Sequence, residues 1–168
     1  MWVCALATLL NMGCLVTEDG DFPVEDNHPP SIASQSGADF PFDRVHVLDR
    51  STGDGMPLDI PLEIVVTDLN LDQTLRGLVI VDNLEPAPID VPPASEPSLH
   101  REVEVTFNTS QLEVPGCHRV EVRVSSQFGF FSPDPVDPMD LGTAVWWFFT
   151  KSDPTQTFDP AECPVPQS

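Results

Sequence analysis

The fold is decided by HRVEVRVSS, residues 118–126. Valine returns at every second position, 120, 122 and 124, with Glu121 and Arg123 between. Successive side chains of a strand point to opposite faces, so this spacing gives one apolar and one polar face, the pattern of a half-buried β-strand. REVEVTFN (101–108) repeats it, with Val103, Val105 and Phe107 on one side and Glu102, Glu104 and Thr106 on the other. LDIPLEIVVTD (58–68) carries Leu62, Ile64 and Val66 at the same period. Pro61 lacks an N–H and confines the first part of that stretch to an edge or a bulge. GLVIVD (77–82) is almost wholly apolar, as for a strand covered on both faces. RVHVLDR (44–50) and TAVWWFFT (143–150) complete the set, with either SIAS (31–34) or residues 40–42 as the first strand. About seven short strands separated by turn-rich gaps, with no helical period sustained over ten residues, predict an all-β sandwich over residues 31–150.

Composition agrees. A chain of 168 residues holds one domain with tails, and 19 prolines and 9 glycines leave little room for long helices. Charge is lopsided: 27 acidic against 7 basic residues give −20. Such a chain lacks the Lys and Arg that bind nucleic-acid phosphates, and it is not drawn electrostatically to anionic lipid. No nucleic-acid partner is expected.

The N-terminal stretch ALATLLNMGCLVTED (5–19) is an apolar run that ends in Gly13-Cys14 and then turns acidic. The uncharged run of about ten residues suits the apolar region of an export signal and is too short to span a bilayer. It resembles a bacterial lipoprotein signal, in which Cys14 becomes the acylated first residue. Asn11 and Met12 stand where that pattern prefers a Leu-like and a small residue, and no Lys or Arg precedes Arg44. An ordinary cleaved signal and a buried N-terminal strand are the alternatives. On the lipoprotein reading residues 1–13 are removed and residues 14–30, acidic and Pro-containing, form a tether. The chain is then held at a membrane through its lipid. Leu15, rather than Asp, after the anchored cysteine favours the outer membrane by the family's sorting rule.

Cysteine arithmetic follows. With Cys4 removed and Cys14 lipidated, Cys117 and Cys163 are left as one pair in an oxidising compartment. A bridge between them would staple the Pro-rich tail, residues 151–168, to the domain; two buried thiols are the alternative. No C-x-x-C occurs and the four histidines are scattered, so no metal site and no cofactor are expected.

LEVPGCHRVEVRV (112–124) resembles the penultimate-strand region of bacterial immunoglobulin-like modules, including polycystic-kidney-disease and cadherin-like repeats. NHPPSI (27–32) is similar to the start of their first strand. The resemblance covers about twenty residues and implies an immunoglobulin-like topology, with no function attached. There is no Tyr for a tyrosine corner, and the candidate disulfide would join a strand to the tail rather than sheet to sheet.

Catalytic motifs are missing: no G-x-S-x-G and no H-E-x-x-H occurs. DLNLDQTLRG (68–77) sets Asp68, Asn70 and Asp72 at calcium-loop spacing, but Gln73 and Val79 occupy the positions that need Gly and Glu. A polar connection between strands is the simpler reading. SPDPVDPMD (132–140) spreads Asp134, Asp137 and Asp140 along a Pro-stiffened loop, a solvated arm rather than a convergent metal site.

AVWWFF (144–149) poses the surface question. Trp146 and Phe148 share one face, and Trp147 and Phe149 the other. One set fills the core; the other is covered by the tail or left as an aromatic platform for a sugar or a protein, with Trp146, Trp147 and Phe149 as candidate residues. Together these features predict a non-catalytic lipoprotein that presents a binding or structural sandwich at the cell envelope, with a protein or glycan partner. The competing class is a carbohydrate-binding accessory module or subunit of an extracellular enzyme system.

Overall fold

Alternating valines give each strand one apolar face that a second layer must cover, and in the computed structural model that layer is a second sheet. The structure describes residues 27–49, 58–82, 84–95, 98–112, 115–153, 155–159 and 163. Eight strands run in the order β1 (Ser31–Ser34), β2 (Val45–Asp49), β3 (Asp59–Thr67), β4 (Arg76–Val81), β5 (Ala87–Ile89), β6 (His100–Asn108), β7 (Gly116–Ser125) and β8 (Gly142–Lys151). A 3₁₀ turn, Thr109–Gln111, follows β6 and is capped by Asn108, whose side chain accepts from the Ser110 N–H. One sheet has the order β1-β3-β6 and the other β2-β8-β7-β4-β5. Neighbours are antiparallel except β2, which runs parallel to β8. Third strand beside sixth in one sheet, with fourth, seventh and eighth together in the other, is an immunoglobulin-like strand order.

The apolar positions read from the sequence form the core. Leu62, Ile64 and Val66 of β3 and Val103, Val105 and Phe107 of β6 face Val120, Val122, Val124, Trp146 and Phe148 across the interface. Each large side chain so buried stabilises the fold by roughly 1.5–3 kcal/mol relative to exposure. Pro61 obeys its restriction: β1 pairs only with Ile64–Thr67 of β3, so Pro61 has β6 as its one neighbouring strand. The first strand is SIAS; Phe40 and Phe42 lie in the following loop and pack against the core. Beyond the seven strands expected from the sequence, the structure adds β5, whose Ala87-Pro88-Ile89 is three residues long, sits among prolines and carries no strand period.

One end of the sandwich gathers the start of the described chain and two loops. Residues 68–75 join β3 to β4, residues 126–141 join β7 to β8, and Arg76 pairs with Ser125 while Val124 pairs with Gly142. The chain enters here as well. Ser31 pairs with Thr67, the Asn27 side chain meets Asn70 (2.9 Å), and the Pro30 carbonyl occupies the space a Cβ on residue 142 would need, which makes Gly142 obligatory. Among the described residues no helix is long and apolar enough to cross a membrane.

Candidate functional site

The strand alternation of β8 divides its aromatics. Trp146 and Phe148 point into the core and are fully buried. The Trp146 indole N–H donates to the Phe40 carbonyl (2.6 Å) and its ring meets Phe42 edge-on (5.5 Å). Phe149, on the outer face, is equally buried, under Phe158 of the tail at a ring distance of 5.1 Å. Cys117 and Cys163 form a disulfide (Cα–Cα 5.4 Å) that holds this tail on β7 beside Phe149. Trp147 alone stays half-exposed, opposite Val45 and Arg119. Trp146, Trp147 and Phe149 therefore share no common surface: one is core, one is covered by the tail, and one is open. Cys14, the proposed lipid attachment point, lies outside the described residues, as do the signal and the first part of the tether.

The exposed aromatics are elsewhere. Phe130 and Phe131, at the turn of loop 126–141, are 92% and 95% exposed and touch each other edge-on (4.5 Å). This loop is braced as a small hairpin. Phe128 bridges Pro135, the Gly129 N–H donates to the Asp134 carbonyl (3.0 Å) and the Val136 N–H to the Gln127 carbonyl (2.9 Å). At its base Asp140 is buried, and one carboxylate oxygen accepts from the Ser125 hydroxyl (3.1 Å), the Ser126 N–H (2.8 Å) and the Ser126 hydroxyl. From the outer sheet face Arg123 reaches the Pro133 carbonyl (3.2 Å) and Asp134 (3.1 Å). Buried Glu121 sits between Arg119 (2.7 Å) and Arg123 (2.8 Å); its hydrogen bond raises the Arg123 pKa above the ordinary value, against the opposing effect of burial. The hairpin thus leans over β4 and encloses a groove of about 510 Å³ against β4 and β5, with Phe128, Phe130, Leu78 and Ile89 as apolar walls and Arg76 and Asp90 among its polar groups.

The sequence reading missed this site because it weighed aromatics in strands and took the loop from its aspartates. The signal was present in QFGFFSPDP, 127–135: Gly129, Pro133 and Pro135 break any strand around the adjacent Phe130 and Phe131, so no sheet is there to bury either ring. The aspartates do not converge. Asp134 pairs with Arg123, Asp137 accepts from the Met139 N–H (2.9 Å), and Asp140 braces the loop base. Asp68 points into the protein rather than to solvent. It is buried, accepts from the Asn70 N–H (3.0 Å) and lies 3.7 Å from the buried guanidinium of Arg101. Among the described residues no group of three metal-ligating side chains comes together.

A second constellation has catalytic order without catalytic access. His118 Nδ1 is 2.8 Å from the Asp82 carboxylate, and its Nε2 is 3.3 Å from the Thr150 hydroxyl. Hydroxyl, imidazole and carboxylate in a row are the parts of a nucleophile triad. Thr150, however, is fully buried and gives its own proton to the Gly116 carbonyl (3.3 Å). Asp82 adopts φ +50°, which brings its other oxygen to the Arg119 N–H (2.7 Å). The trio ties the β4 turn to β7 and β8 at the far end of the sandwich.

The sequence matches no protein-family model and no curated protein.

Proposed function

We propose that the protein is a cell-envelope lipoprotein, anchored through Cys14, whose sandwich is a non-catalytic binding module. The observation that carries the binding role is the pair Phe130 and Phe131, left almost fully exposed on a hairpin that Asp140 and Arg123 hold in place. An exposed apolar pair on a braced loop gains nothing for folding and is what a recognition surface requires. The anchor is supported by the uncharged run that ends in Gly13-Cys14 and by the acidic stretch that follows. The disulfide between Cys117 and Cys163 is in keeping with an oxidising compartment. The intact mass of the protein recovered from membranes tests the anchor. The expected result is a chain beginning at Cys14 that carries acyl groups, and an uncut or unacylated chain refutes it.

A second reading rests on the groove beside Phe128 and Phe130, where aromatic walls adjoin Arg76 and Asp90. That mixture suits a neutral saccharide, with a ring face on Phe and hydroxyls on the charged groups. Calorimetry across an oligosaccharide panel decides it: binding that Phe128→Ala removes supports an accessory carbohydrate-binding module, and no heat with any glycan eliminates it.

A further inference from the structure

We propose that the free edge of β6 is a docking site for an extended, basic segment of a partner protein, added as a fourth strand to the sheet of β1, β3 and β6. That sheet has three strands against five in the facing one, with β6 outermost. β3 pairs with β6 along all nine residues, and among the described residues no strand lies on its other side. The ladder fixes which backbone groups are free. At one end of the pairing the Thr109 N–H donates to the Leu58 carbonyl (2.9 Å), and at the other the Asp68 N–H donates to the Leu99 carbonyl (3.4 Å). Antiparallel pairs alternate between bonded and non-bonded, so Arg101, Val103, Val105 and Phe107 bond to β3. Glu102, Glu104 and Thr106 then turn their N–H and C=O groups to the open side. Pro61 fits this phase, because it stands opposite Thr106, where the ladder needs no N–H. Among the described residues these six backbone groups have no hydrogen-bond partner.

The other edges are blunted. β1 has four residues, β2 has five, β5 has three with Pro88 among them, and the part of β3 that β1 leaves uncovered contains Pro61. β6 offers nine residues without a proline. Charge selects its occupant. Glu102 and Glu104 are exposed on the outer face, and exposed Glu63 stands directly opposite Glu104. The outward positions of β3 and β6 hold no Lys or Arg. Carboxylates facing each other across a pair of strands repel, and a strand whose outward side chains are Lys or Arg answers them. Its inward side chains are apolar, continuing the row of Val103, Val105 and Phe107. A second β6 is the wrong occupant, because its acidic row would meet this one; the same glutamates exclude self-pairing and select a basic strand. A cleft of about 530 Å³ lined by Pro92, Pro93, Ser98, His100 and Glu102 gives an added strand room at the start of this edge. The site is separate from the hairpin of Phe130 and Phe131, which leans over the other sheet, and does not depend on the anchor.

The probe is a nine-residue peptide of alternating Lys and Val with blocked ends, titrated into the disulfide-bonded protein. Binding is expected, with amide exchange slowed at Glu102, Glu104 and Thr106 and unchanged at Val103 and Val105, whose N–H groups are already bonded. Scrambling the alternation should weaken binding by about tenfold or more, as the loss of two backbone bonds requires. Two further peptides carry N-methyl groups on every Lys or on every Val, so that only one of them keeps its donors towards β6. Their affinities should differ by about tenfold or more, the Lys-methylated form being the weaker for an antiparallel strand and the Val-methylated form for a parallel one. Glu102→Lys with Glu104→Lys should abolish binding and create affinity for the Glu–Val counterpart. Asp72→Lys with Glu85→Lys, the same change of charge at exposed positions elsewhere, should weaken binding by less than about threefold. Fluorescence of the buried Trp146 reports that each variant is folded. No binding, equal affinity for the scrambled peptide or for the two methylated forms, or amide protection away from β6 would overturn the proposal. Dimers in sedimentation that protect the same alternate amides without any peptide would make a second copy the occupant and refute the basic partner.

Discussion

Two aromatic clusters meet opposite fates in this molecule. Trp146, Trp147, Phe148 and Phe149 lie in β8, hydrogen-bonded to β7 on one side and β2 on the other. Phe128, Phe130 and Phe131 lie fifteen to twenty residues earlier in a hairpin rich in Gly and Pro. In the strand, period-two geometry delivers alternate rings to two surfaces, and the fold covers both: the facing sheet on one side, the stapled tail on much of the other. In the hairpin no alternation is imposed and no second layer lies above, so two rings end almost fully in solvent. Both stretches are rich in aromatic rings; the backbone context decided which rings became core and which became surface.

The comparison breaks most sharply at Trp146. Trp146→Ala removes the largest fully buried side chain together with its hydrogen bond to Phe40. It should cost about 3–5 kcal/mol, read as a fall in the denaturant midpoint, and it should unfold a marginal domain outright. A loss below 1 kcal/mol would mean that β8 is not the core strand described. The staple comes next. Reducing the Cys117–Cys163 bridge, or Cys163→Ser, frees a loop with a sequence separation of 46 and should cost about 3–4 kcal/mol. The sharper readout is Phe149: once the tail detaches, its face opens, and binding of an apolar dye should rise while Trp146 stays native-like.

At the hairpin base, Asp140→Ala leaves the Ser126 N–H and hydroxyl without their acceptor and the Ser125 hydroxyl with the Gln127 carbonyl alone, at about 1–3 kcal/mol. Its effect should be local, with amide exchange rising across residues 126–141 before it rises in β7. Global exchange with no local opening would show that the carboxylate serves the core rather than the loop.

Much of this molecule was legible in the sequence, and for one physical reason. Val120, Val122 and Val124, like Leu62, Ile64 and Val66, sit in strands buried on one face, where period and burial are the same fact. The pairing of Cys117 with Cys163 was legible by elimination, given the fate assumed for Cys14. Short edge strand β5 was not, since three residues around Pro88 carry no period. The braced hairpin was not either, because it depends on contacts far from local pattern: Arg123 reaching Pro133, and Asp140 reaching back to Ser125 and Ser126. Nor does spacing reveal that His118, Asp82 and Thr150 meet, since their separation of 32 to 36 residues is closed only by sheet register.

A smaller effect tests the covered side by pH. His46 is buried, its Nε2–H donates to the Pro41 carbonyl (2.7 Å), and Phe40 meets it edge-on (5.2 Å). Burial is the main cause that lowers its pKa from 6.5, with the Pro41 bond acting against it. The unfolded chain then binds the proton more readily than the folded one. The contribution to stability is present above about pH 6.5 and is lost as pH falls through the folded value. His46→Gln should flatten the stability profile below pH 6.5; an unchanged slope would assign the acid sensitivity to other groups.

The smallest expected effect is also the most telling. Phe130→Ala with Phe131→Ala removes two rings from positions 92% and 95% exposed. Stability should move by no more than about 0.5 kcal/mol, the range for surface changes that break no packing. Phe148→Ala, the same chemical change in the core among Phe40, His46 and Phe107, should cost about 3–5 kcal/mol. Chemical denaturation of both variants side by side measures the contrast. If the loop pair proves as costly as Phe148, the hairpin rings are packed in solution and the surface proposed for binding does not exist. If the contrast holds, the loop phenylalanines are dispensable to the fold, and whatever maintains them acts through what they touch outside it.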